Sequence, residues 1–271
     1  MKKKLALLLA AVLLLAFTGC ASTQETQTQE ESQAVDQLTA IQEKGEIVIA
    51  MEGTWAPWTY HDDTDTLVGF DTEVGQAIAE KLGVKATFVE GEWDSLFAGL
   101  DSGRYDIVIN GVEVTDARAE KYDFGTPYCF IRTALIVRGD NTDIASFEDL
   151  EGKTTCNSIA STYMDLAESY GATATGVDTL EETLQMVLAG RADATLNADV
   201  SFYDYMNVHP EADLKVVALT EDASQVAIPV RKGEESASLR AAIDTAIEEL
   251  REDGTLAQLS EKYFGSDITA E

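Results

Sequence analysis

Cysteine, histidine and proline are scarce in this sequence: three, two and four residues among 271. So few cysteines and histidines exclude a disulfide scaffold and a zinc site of ordinary Cys/His spacing, and no metal site or cofactor is expected. Positive charge is also short, with 19 Lys and Arg against 49 Asp and Glu, a formal charge of -30. A surface so acidic repels polyanions, which excludes nucleic acid as a partner and disfavours unaided binding to anionic membranes. Neither Gly-x-Ser-x-Gly nor His-Glu-x-x-His occurs, so two familiar hydrolase signatures are missing. What remains, 45% hydrophobic and 8% aromatic, is an ordinary globular composition for one or two domains.

The first residues are set apart by their pattern. Lys2, Lys3 and Lys4 precede thirteen apolar residues, Leu5 to Phe17, and then Thr18-Gly19-Cys20. Thirteen is short of the roughly 20 residues a membrane-spanning helix needs, so residues 1–19 read as a secretory signal. Small residues before a lone Cys resemble a bacterial lipobox, in which Cys20 is lipidated and becomes the new N-terminus; Phe17 stands where Leu is usual. A plain signal peptide with an incidental Cys is the competing reading. From Ala21 to Ala34 there are nine Ser, Thr or Gln, three Glu and two Ala. Such a stretch has nothing to bury, so residues 20–37 are expected to form a lipidated, disordered tether reaching roughly 20 Å.

From Leu38 onward, short β runs alternate with amphipathic helices. Strands are expected at Ile47–Met51, Val84–Val89 and Asp106–Asn110, with helices over Asp71–Leu82 and around Leu96, Phe97 and Leu100. A similar set follows: strands Thr133–Val137, Lys153–Asn157, Thr173–Gly176, Ala192–Asn197 and Leu214–Leu219. Between them come a helix Ser161–Tyr170 and another opened by a Thr179/Glu182 capping box. Gln225–Val230 and a long helix bearing Leu239, Ile243, Ile247 and Leu250 close the chain. This predicts two α/β lobes of about a hundred residues each. The deepest site in such a body lies between the lobes, at the C-terminal ends of strands.

Catalytic temptations have plainer explanations. Gly152-Lys153-Thr154 lacks the leading Gly of a phosphate loop and precedes a strand rather than a helix. His61-Asp62-Asp63-Thr64-Asp65 reads as a solvated acidic turn, since it lacks the Gly and closing Glu of a calcium loop. His209, before Pro210, reads as a surface residue at a helix end. Cys129 and Cys156 are most simply buried apolar residues, although the compartment would permit a disulfide.

Other features suit a small zwitterion. Trp55, Trp58 and Trp93 fall at or just beyond strand ends, where planar walls could line a cleft, core packing being the alternative. The stretch Asn110-Gly111-Val112-Glu113 leaves a strand end through a Gly and leads to Arg118, whose planar fork matches a carboxylate; a surface ion pair is the plainer alternative for that Arg. Ser161 and Thr162 open a helix directly after a strand, so free N–H groups face the same cleft.

The order of these motifs resembles the extracytoplasmic solute-binding proteins of polar amino acid ABC transporters, bacterial family 3, over about residues 38–267. The resemblance is carried by Glu52-Gly53-Thr54-Trp55-Ala56-Pro57-Trp58, Val68-Gly69-Phe70-Asp71, Gly103-Arg104-Tyr105-Asp106, Val114-Thr115-Asp116-Ala117-Arg118, Asp123-Phe124-Gly125-Thr126-Pro127-Tyr128, Ser161-Thr162-Tyr163, Gly190-Arg191-Ala192-Asp193-Ala194 and Asp253-Gly254-Thr255-Leu256. Asp193 to Asn197 followed by Phe202-Tyr203-Asp204-Tyr205 is similar to binders of cystine and other polar amino acids.

The resemblance implies a two-lobed periplasmic-binding-protein-like (type II) α/β fold: residues 38–129 plus 225–267 in one lobe, 130–224 in the other, and two hinge crossings near Tyr128–Arg132 and Glu221–Gln225. It also implies that Arg118, with the backbone at Gly111 and Thr162, grips an amino acid's α-carboxylate. Trp55 and Trp93 would be walls, Glu52 an acid for the ammonium, and Asn110, Glu113, Ser161 and Asn197 further ligand contacts. ABC permease subunits, and the membrane through the lipid on Cys20, are the implied partners. Two departures stand out: Ala198 occupies the place of an ammonium-binding Asp, with Asp199 one residue late, and Glu113 sits where Thr or Ser is common. Glu113 is expected either to pair with Arg118 or Lys121 and face away, or to turn to the ligand's positive end. Because relatives resemble secreted cyclohexadienyl dehydratases, an enzyme with Glu52 or Glu113 as general acid is the alternative function. A sensory module is a third.

Overall fold

A computed structural model describes residues 36–270; the expected signal peptide, Cys20 and most of the tether lie outside the described residues. Within one compact unit the chain builds two α/β lobes. In the first, parallel strands run in the order Lys85–Glu90, Glu46–Met51, Ile107–Val108. The central strand is apolar on both faces because helices cover both: Ile47, Ile49 and Met51 pack in one core cluster and Ala50 in another. The helix Phe70–Lys81 lays Phe70, Val74 and Ile78 against it at helical spacing, all fully buried.

The second lobe holds a five-stranded sheet in the order Thr173–Val177, Thr154–Ser158, Ala194–Ala198, Thr133–Arg138, Leu214–Leu219. Thr133–Arg138 runs antiparallel to both neighbours. The capping box forms at Thr179, whose hydroxyl accepts from the Glu182 N–H while the Glu182 carboxylate accepts from the Thr179 N–H. The chain passes between lobes along two strands that pair antiparallel, Cys129–Ile131 with Ser224–Val226.

Three expectations are corrected. Helix Gln37–Lys44, N-capped by the Asp36 carboxylate, reaches into the expected tether; Gln37 is buried, with its amide bonded to Asp106 O and Ser236 Oγ. Gln225–Val230 is two strands, Ser224–Val226 and Pro229–Arg231, which pair with different partners, Cys129–Ile131 and Tyr122–Phe124. Asp106–Asn110 shrinks to Ile107–Val108, because Asp106 and Asn110 turn their side chains onto the backbone of the first strand and its exit. Cys129 and Cys156 are buried free thiols in different core clusters.

Candidate ligand site between the lobes

Strands of both lobes point their C-terminal ends at one cavity of about 460 Å³, part of it open to solvent. All ten residues that the resemblance implies as ligand contacts line it, whereas Trp58 does not. Glu52 directly follows Met51, and Asn110 and Gly111 lie just past Val108. Trp93 begins the helix after Lys85–Glu90. From the other lobe come Ser161, the N-cap of helix Thr162–Ser169, Thr162 itself, and Asn197 near the end of its strand.

Each wall is held from behind. The Asn110 amide donates to Glu52 Oε2 at 2.6 Å and its oxygen accepts from the Glu52 N–H at 2.8 Å. Asn110 is therefore occupied in orienting Glu52. Burial pushes the Glu52 carboxyl up to about 7, against the opposing pull of that amide. Trp55 stacks on Trp58 with centroids 5.1 Å apart. Trp58, expected as a possible wall, is fully buried beneath it, with its N–H donated to Ser201 Oγ of the second lobe at 2.9 Å.

Arg118 is fixed by a bond from Nη1 to Glu113 O at 2.9 Å. Its guanidinium lies over Trp93, 5.1 Å from the centroid, and near Phe97 at 5.7 Å. The surface ion pair is thereby replaced by a cation stacked on aromatics in the cavity wall, where burial lowers its pKa and nearby Glu113 opposes that shift. Most of its five N–H donors remain for a ligand.

Two expectations about this wall are corrected. The Gly111 N–H is not free for a carboxylate, because it donates to Asp71 Oδ2 at 2.6 Å, and Tyr128 OH holds the other oxygen at 2.8 Å. Gly111 serves space instead: at φ +55°, a Cβ there would meet Trp55 Cζ3 at 2.6 Å. Nor does Glu113 face away. It is 5% exposed, and its carboxylate accepts from the Thr162 hydroxyl across the cleft; among the described residues it pairs with neither Arg118 nor Lys121. Asp199 turns its carboxylate to the Val200 N–H and does not line the cavity, and Ala198 is fully buried. The acids of the site are Glu52 and Glu113.

Thr54, Ser158, Tyr163, Thr179 and Leu180 also line the cavity and were not anticipated. Tyr163 was within a quoted motif and Thr179 within a capping box, but no residue pattern tells which helix starts converge.

Two lobes joined by a pair of crossing strands around a polar cavity, with a cation at one wall and carboxylates at another, define the class of solute-binding proteins that hold a small charged molecule between lobes. The chain belongs to the bacterial extracellular solute-binding proteins, family 3, which it matches over residues 47–266; it is extracytoplasmic, as that family is. It is 38% identical to the L-cystine-binding protein TcyA of Bacillus subtilis, over 99% of this chain and 100% of that one. It is 34% identical to the L-cystine-binding protein TcyJ of Escherichia coli, over 86% and 87%. An ancestral arginine-binding protein bound to arginine superposes with a TM-score of 0.76 at 34% identity, covering 82% of this chain and 99% of that one. The L-cystine solute receptor of Neisseria gonorrhoeae, in its unliganded open conformation, is 39% identical over 87% and 99% but gives only 0.59. The bonds between lobes made by Thr162, Trp58 and Trp93, whose N–H donates to Ala160 O at 3.4 Å, accord with this closer match to the ligand-bound form.

Proposed function

We propose that this chain captures a polar amino acid, L-cystine first, by closing its lobes on it, and delivers it to the permease subunits of an ABC importer while a lipid on Cys20 holds it at the membrane. The supporting observation is the placing of Arg118 on Trp93 in the same cavity as the Glu52 and Glu113 carboxylates. One fork of donors suits an α-carboxylate and two acids suit an ammonium. Relatives named for binding L-cystine span nearly this whole chain, which favours cystine. Closure follows ligand because only the closed form lets both lobes touch it, so the ligand's differential affinity sets the population shift.

In this reading the protein performs no chemistry and its ligand is returned intact. The dehydratase reading is the weaker one: a superposed relative at 28% identity and TM-score 0.77 is described as an ancestral amino acid-binding protein, a precursor of cyclohexadienyl dehydratase. Calorimetric titration of the soluble domain with cystine, arginine, glutamine and the remaining common amino acids tests the proposal, with mass spectrometry of the recovered ligand. Cystine is expected to bind tightest and emerge unchanged. Failure of every amino acid to bind, or turnover of prephenate or arogenate, would overturn it.

A further inference from the structure

Thr54, Trp55 and Leu180 line the cavity on one side and, on the other, a second compartment of about 500 Å³ that also opens to solvent. The helix Asp199–Val208 contributes Ser201, Asp204 and Tyr205 to this compartment. Glu181 and His209 also line it, the latter 3.8 Å from the Glu211 carboxylate, and no Lys or Arg does. Asp204 is half-buried and, among the described residues, its carboxylate has no hydrogen bond or ion pair; burial alone raises its pKa. A half-buried carboxylate without a partner gains when a cation is supplied.

We propose that the second compartment receives the far end of an extended amino acid, and that Asp204 pairs with a cationic group there, such as the second ammonium of cystine or the guanidinium of arginine. This rests on the reading that Arg118 holds the α-carboxylate in the first compartment.

Calorimetry with the soluble domain, Asp204→Asn and Leu180→Trp tests it, using two ligand pairs that differ at the far end: L-cystine against S-methyl-L-cysteine, and arginine against its neutral isostere citrulline. Wild type should prefer the member with the distal cation. Asp204→Asn should weaken that member at least tenfold and leave the other within twofold. Leu180→Trp enlarges a residue that lines both compartments and should cut the preference for cystine over S-methyl-L-cysteine without altering charge, which decides the matter should Asp204→Asn melt abnormally. No preference in wild type, or affinities within twofold in Asp204→Asn, would overturn the second compartment. If Arg118→Lys still weakens all four ligands, the first site stands regardless; if wild type binds none of the four, both readings fall together.

Discussion

The Thr162 hydroxyl donates to the Glu113 carboxylate across the cleft, tying the first residue of a second-lobe helix to a loop of the first lobe. Removing the donor leaves a buried carboxylate without that partner in the closed form, a loss of about 1–3 kcal/mol. Thr162→Val should therefore open the ligand-free protein, raise its radius of gyration in small-angle scattering, and lower affinity about tenfold. Glu113→Gln keeps an acceptor and deletes the charge. A loss beyond tenfold with a flattened preference between zwitterionic and cationic amino acids would assign that charge to the ligand's positive end, whereas an unchanged ranking would limit Glu113 to the contact between lobes.

Arg118 has its guanidinium carbon over the Trp93 ring, 5.1 Å from the centroid, and Nη1 bonded to Glu113 O. Lysine keeps the charge and loses both the stacking and the fork. Arg118→Lys should cost about 1.5–3 kcal/mol of ligand affinity, the range for a hydrogen bond to a charged group. Titration showing affinity within twofold of wild type would remove Arg118 from the ligand's carboxylate.

Gly111 is required by backbone and neighbour together. Its φ of +55° is strained for any residue with a Cβ, and that Cβ would stand 2.6 Å and 2.8 Å from two ring atoms of Trp55. Gly111→Ala should lower stability by about 1–3 kcal/mol, the usual cost of overpacking. It should also change Trp fluorescence, because the Trp55 ring must move. A normal melting temperature with an unaltered spectrum would show that the wall tolerates the methyl group.

Strands and helices with strong periodicity were legible in the sequence: Leu214–Leu219 falls where it was expected, and the Thr179/Glu182 pair forms the capping box its spacing specifies. That ten named residues line one cavity was legible for a different reason, since motifs that follow strand ends converge on the crevice outside those ends. Hidden from the sequence were long-range side-chain bonds. Asp71 read as a helix-opening acid, yet it takes the Gly111 N–H from a residue forty positions away. Glu113 read as either a surface pair or a ligand contact, and its bond to Thr162 depends on how the lobes meet. Gln37 looked like tether because its apolar neighbours are few; its amide is nonetheless held by Asp106 and Ser236.

Anchoring at Cys20, which lies outside the described residues, is tested by substitution. Cys20 follows the small residues Thr18 and Gly19 after the apolar run, so Cys20→Ser should release the protein from membranes into the soluble fraction. Retention of the processed variant with membranes would show that lipidation is not what holds it.

Glu52 gives the site a pH dependence of defined sign. Burial lifts its carboxyl from 4.5 to about 7, so the folded protein retains a proton that the unfolded chain has released. The ligand-free fold is thus penalised progressively as pH rises from about 4.5 to about 7, and the penalty is level above that. Glu52→Gln removes this titration; the variant should gain melting temperature over wild type across that window, while Asp71, also raised to about 7 by burial, is present in both proteins and cancels. A ligand ammonium beside Glu52 favours the ionised form, so binding near neutrality should expel a proton. Affinity should then fall as the pH drops below 7, by up to about tenfold per pH unit. Calorimetry at pH 6, 7 and 8, in two buffers of different ionisation enthalpy, reads both effects, and both should vanish in Glu52→Gln. A wild-type affinity that is flat over this range, with no proton released, would mean that the ligand's ammonium sits elsewhere.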